Sequence, residues 1–154
     1  MRNFNEDDRK KKKARIRIQE NPDNLSKEVL SQLQDKVKAS LKDGYLSCPR
    51  AWRIAKKSNV PKIVVGEIAD SLGIRITNCQ LGCFKIGKVP YDKLAHKNID
   101  GEVITILETL KETDQLTCAT VFDLARQFKL KPMVIANEVN ARGLKIRRCQ
   151  LGCF

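Results

Sequence analysis

Cysteine is the residue in this chain best suited to chemistry, and its six copies are not scattered. They stand at Cys48, Cys79 and Cys83, and again at Cys118, Cys149 and Cys153, with each later residue 70 positions beyond its earlier counterpart. Thiolates ligate zinc or an iron–sulfur cluster, and three of them leave a fourth position for water, a partner or another side chain. Spacing constrains that reading. In an extended strand Cys79 and Cys83 are about 13 Å apart at roughly 3.3 Å per residue, too far to share one ion unless Gln80-Leu81-Gly82 bends. Gly82 permits the bend. The alternatives are that the thiols pack as small apolar side chains or undergo reversible thiol chemistry. All six are therefore candidate ligands, with zinc or an iron–sulfur cluster as the candidate cofactor.

The cysteines belong to a longer repeat. The hexapeptide CQLGCF occurs at 79–84 and at 149–154, and the same offset aligns Cys48 with Cys118, Ala55 with Ala125, Val64 with Val134, Gly73 with Gly143 and Ile76 with Ile146. Of the 37 residues from Cys48 to Phe84, 11 are identical to their counterparts, without a gap. Two copies, each with its own helical and strand signals, indicate a pair of small domains and not a solenoid, which needs about three or more repeats.

The elements that must position these residues follow from periodicity. Leu25, Val29, Leu30, Leu33, Val37 and Leu41 recur at helical spacing after a Ser26 cap, and Asp43-Gly44 ends that helix. Asp100 caps its equivalent, with Val103, Ile104, Leu107 and Leu110 as the apolar stripe. The short pieces 45–48 and 115–118 read as two- or three-residue strands, followed by a helix holding Trp52 or Phe122 as a core anchor. A second short helix spans about 62–72 or 133–142 and stops at Gly73 or Gly143, where a left-handed cap is wanted. Ile74-Arg75-Ile76 and Leu144-Lys145-Ile146 then alternate as strands and lead into CQLGCF.

Helix, short strand, helix, tight turn, helix, strand: this order resembles the winged-helix variant of the helix-turn-helix fold. The residues that carry the resemblance are Ile54-Ala55, Val60, Val64, Leu72 and Gly73-Ile74, and then Leu124-Ala125, Leu130, Val134 and Gly143-Leu144. It implies a mainly α fold with short β (α+β), two tandem three-helix units with small strands. It also implies duplex DNA as partner, read by the second helix of each turn, and a role in transcription regulation. In the first repeat that helix offers Lys62, Glu67, Asp70 and Ser71, a poor set because two acids would face phosphates. The second offers Lys131, Asn137, Asn140 and Arg142, types that read base edges. Lys56, Lys57, Arg75, Arg147 and Arg148 complete the candidate DNA contacts as phosphate neighbours. One departure is the wing, whose second strand should follow the first: either the wing is reduced, or CQLGCF itself turns back.

Composition sets the outer bounds. The net charge of +12 favours a polyanionic partner. Residues 1–23, with RKKKKARIR and 8 Lys/Arg against 5 acids, read as a disordered basic arm. The repeats are expected at 24–84 and 100–154, with a linker at 85–99 that contains Gly87, Pro90 and His96. No apolar run reaches membrane-span length and no secretory leader is evident, so a cytoplasmic protein is expected, in which a disulfide framework would not persist. No phosphate-binding glycine loop, repeated carboxylate pair or histidine beside a cysteine suggests an enzyme. The competing function is a metal or iron–sulfur sensor using the fold for protein contacts, and the remaining one is a homodimerising scaffold.

Overall fold

Leu33 and Val37, four residues apart, are the two side chains by which the helix after the Ser26 cap enters its core. Their repeat counterparts Val103 and Leu107 do the same. A computed structural model describes residues 5–16, 18–84 and 99–154. In chain order the elements are α1 (Glu6–Arg15), α2 (Lys27–Ala39), β1 (Leu46–Ser47), α3 (Cys48–Ser58), α4 (Lys62–Ser71), β2 (Ile76–Thr77), α5 (Gly101–Glu112), α6 (Cys118–Gln127) and α7 (Pro132–Ala141). The protein is mainly helical with short strands, as the periodicity implies. No described helix is long and apolar enough to cross a membrane.

The repeat holds down to single backbone angles. α3 ends on Asn59 in the left-handed region (φ 52°), with the Val60 amide donating to the Ala55 carbonyl at 3.0 Å. α6 ends in the same way through Lys129 (φ 52°), and the Leu130 amide donates to Ala125 at 2.9 Å. Asparagine adopts that conformation more readily than lysine, so the second turn is held by its surroundings more than by its own residue. Gly73 and Gly143, at φ 69° and 67°, close α4 and α7, and Ile74 and Leu144 donate back to Ala69 and Val139. This is the glycine stop with its apolar follower.

The strands expected at 74–76 and 144–146 are corrected here. The strand after Gly73 is Ile76–Thr77 and not 74–76, and it pairs parallel with β1, Leu46 opposite Ile76 and Ser47 opposite Thr77. In the second repeat the pairing shrinks to one parallel bridge, Thr117 to Arg147. After β2 the chain turns at Gln80-Leu81, and no second wing strand occurs among the described residues. A parallel pair cannot be a hairpin, because its strands need a crossover between them.

The segment expected to be a disordered arm contains α1. Asn5 accepts from the Asp8 amide at 2.9 Å while the Asp8 carboxylate accepts from the Asn5 amide at 3.2 Å, and acids in the first turn precede Lys and Arg in the last. That polarity opposes charge to the helix dipole at both ends. The linker at 85–99, with Gly87, Pro90 and His96, lies outside the described residues except for Ile99.

The chain divides into two units, but not at the repeat boundaries. Unit 1 runs to Cys79 and includes Gln150–Phe154; unit 2 is Gln80–Cys149. Each unit thus holds the last five residues of the other repeat's CQLGCF, which corrects the expected 24–84 and 100–154 division. In unit 1 the core is Leu33, Val37, Leu46, Ala51, Val64, Val65 and Ile68 with Leu151; in unit 2 it includes Leu81, Val103, Leu107, Leu116, Val121, Ile135 and Val139. Leu107→Ala removes a fully buried side chain from unit 2 and is expected to cost about 2–5 kcal/mol. The shift of the denaturant midpoint measures it.

Candidate nucleic-acid interface and segment groove

The helix that would read DNA in unit 1 is covered. Five of the ten residues of α4 are buried, Val64, Val65, Gly66, Ile68 and Ala69, more than one face of a helix supplies. On one side the CQLGCF segment lies against it. A Cβ on Gly66 would overlap the carbonyl oxygen of Leu151, so only glycine admits this backbone approach. Leu151 is fully buried, and Gly152 (φ 66°) packs against Ile18 and Ile63. Lys62 Nζ stands 4.3 Å from the centre of the Trp52 ring and donates to Gln150 Oε1 at 2.9 Å.

On another side lies α1. Lys12 Nζ donates to Asp70 Oδ1 at 2.7 Å, with the side chains 14% and 22% exposed, and Arg75 pairs with Asp8 at 3.5 Å. Burial pushes the Asp70 carboxyl above its usual range even though the Lys12 ammonium pulls it down. Glu67 is pushed up too, first by burial and then by the Glu20 and Asp70 carboxylates, against Lys13. Ser71 Oγ donates to the Ile68 carbonyl at 2.9 Å. Lys62 and Asp70 are thus engaged inside unit 1, and the exposed Ser71 bonds back to its own helix. Arg75, a candidate phosphate contact, sits in the Asp8 pair.

Unit 2 differs at matched positions. Asn140, the counterpart of Asp70, is exposed on α7, and Lys131 is exposed at the N-cap of that helix. Asn137 is half-buried. Arg142 is held: its Nε donates to Glu138 at 2.7 Å and its Nη1 to Glu108 at 3.3 Å, which ties α7 to α5. Arg147 and Arg148 share the Asp114 carboxylate at 3.4 and 3.1 Å, both largely exposed. Lys56 and Lys57 are exposed in the last turn of α3, where they also complement the helix dipole.

The thiols of each repeat are divided between the units. Cys48 and Cys79 belong to unit 1 but Cys83 to unit 2; Cys118 and Cys149 belong to unit 2 but Cys153 to unit 1. Cys48, Cys79 and Cys118 are buried, Cys149 and Cys153 half-buried and Cys83 exposed. Among the described residues no three His, Cys, Asp or Glu side chains stand as a group able to hold a metal ion.

Neither α1 nor the Gly66 seat is among the features expected from the sequence. The signal for α1 was present, since Asn5 and Asp8 have capping-box spacing and acids precede bases. The charge run concealed it. Nothing local marks Gly66, because its role depends on a carbonyl 85 positions away, at Leu151.

No known protein family, curated protein or solved structure matches the chain.

The raised Glu67 carboxyl gives a pH prediction. The folded state holds this proton more tightly than the unfolded chain, whose carboxyl titrates near the ordinary 4.5. Its stabilising contribution is therefore complete below that value and is lost as pH rises through the folded pKa above it. Glu67→Gln should raise the melting temperature at neutral pH, and the difference from wild type should vanish near pH 4. Melting curves across that range check it; an equal shift at both ends refutes it.

Proposed function

We propose that the chain binds duplex DNA as a transcription-regulatory protein with winged-helix-like units, reading bases through α7 and not through α4. The observation that carries this reading is the contrast at one repeat position: Asp70 is paired with Lys12 under α1, whereas Asn140 is exposed. Asparagine presents a donor and an acceptor together, the pattern that adenine matches in the major groove. Lys131 at the start of α7 stands where reading helices place residues near base edges.

Affinity that ignores sequence comes from the surplus of cations. Lys56, Lys57, Arg147 and Arg148 are exposed, and the net charge of +12 releases counterions from neutralised phosphates. Arg147 and Arg148 can swing from Asp114 to a phosphate at small cost, since exposed pairs contribute only about 0–1 kcal/mol. Arg142, clamped by two carboxylates, holds α7 in place in this reading, and base contact falls to Asn140.

The test is fluorescence anisotropy of a labelled duplex titrated across salt, followed by selection from a randomised pool. Binding should weaken linearly in log–log form, with a slope of about −0.9 per phosphate contacted. Asn140→Ala should cost about 1–3 kcal/mol of discrimination at one base position and leave binding to unrelated duplexes unchanged. Absence of binding at low salt, or equal loss on every sequence, refutes the role given to α7.

A further inference from the structure

Residues 150–154 belong by sequence to the second repeat yet pack as part of unit 1, and residues 80–84 belong to the first repeat yet fall in unit 2. The residue before each cysteine at the crossing point has the same left-handed backbone, Asn78 at φ 51° and Arg148 at φ 50°. The chain therefore redirects each segment at a matched hinge.

On α4 the segment has a built site. The Leu151 carbonyl presses on Gly66, the Leu151 side chain is fully buried, Gly152 fits against Ile63 and Ile18, and Gln150 is held by a Lys62 that stacks on Trp52. Close backbone approach, one buried anchor and one side-chain hydrogen bond are the components of peptide recognition in a groove. Such a surface responds to the segment and not to the chain that carries it. The segment occurs twice per chain and in both places has left its own repeat, which is the arrangement that exchange of identical elements between protomers produces.

We propose that the α4 groove is a receptor for the QLGCF segment of a second copy of this chain, so that copies join by exchanging these segments. Within one chain the segment is supplied at an effective concentration on the order of millimolar, so self-occupancy prevails in dilute solution. Joining follows when the chain concentration approaches that value or when the chain's own segment is disabled. This assembly is independent of DNA reading by α7.

The experiment uses the full chain under reducing conditions, with a fluorescein-labelled CQLGCF peptide. Leu151→Asp disables the chain's own segment and leaves the groove intact; Gly66→Val puts a side chain where the Leu151 carbonyl must lie. The peptide should bind the Leu151→Asp chain saturably, bind wild type at least about tenfold more weakly because its groove is filled, and fail to bind the double variant. Mixing the two single variants should give a dimer by light scattering, since one supplies the groove and the other the segment. A folded Leu151→Asp chain that ignores the peptide, or equal binding by the double variant, overturns the proposal. If Leu151→Asp does not fold by circular dichroism, the folded wild type is cut at a protease site inserted between Cys149 and Gln150. Retention of the cut segment and its displacement by labelled peptide support the receptor; a segment that departs on cutting overturns it.

Discussion

A missing methyl group at Gly66 is the constraint on which the rest of unit 1 depends. Because the Leu151 carbonyl occupies the place of a Cβ, the segment can lie flat against α4 and sink Leu151 into the core. Burying one leucine contributes about 1.5–3 kcal/mol, a substantial part of what a small domain possesses. Packed also against α2 and α3, α4 is buried on more than one face, and the seat draws residues 150–154 away from the repeat to which they belong. The separation of Cys153 from Cys118 and Cys149 follows from it, since the crossing falls between the second and third thiol.

Duplication has kept the backbone and changed the charges. Left-handed residues recur at 59 and 129, at 78 and 148, at 73 and 143, and at 82 and 152, so the turns that set the helices are the same. The surfaces differ. Unit 1 packs carboxylates beneath a basic helix, and burial raises Asp70 and Glu67 even with Lys12 and Lys13 nearby. Unit 2 pairs Arg147 and Arg148 with the exposed Asp114, and Arg142 with the exposed Glu108 and the half-buried Glu138. The exposed Asp114 pairs are readily broken by a competing polyanion, and the Lys12–Asp70 pair resists it because it is partly withdrawn from water. At the Gly66 position unit 2 has Ala136, fully buried.

Much of the fold was legible because it rests on local rules. Leu33 and Val37, or Val103 and Leu107, recur at helical spacing; Ser26 and Asp100 cap; Gly73 and Gly143 stop a helix; and these signals act within a few residues of themselves. The pairing of β1 with β2 was not legible as parallel, because two-residue strands carry too little alternation to set direction or register. The base-reading candidates were legible by type but not by availability. Nothing near Arg142 in sequence reveals Glu108, and nothing near Asp70 reveals Lys12.

By itself, then, the sequence determined the repeat, its helices, their caps and the places where the chain turns, since each depends on backbone preferences and apolar period within one stretch of chain. Only the tertiary structure decided which unit each CQLGCF segment joins, that the helix of the basic run lies against α4, and which cations are held by carboxylates. Those outcomes depend on groups brought together from distant positions, Gly66 with Leu151, Lys12 with Asp70, and Arg142 with Glu108. The physical reason is that steric exclusion and partial desolvation act through space, and a local pattern carries no record of what will arrive against it.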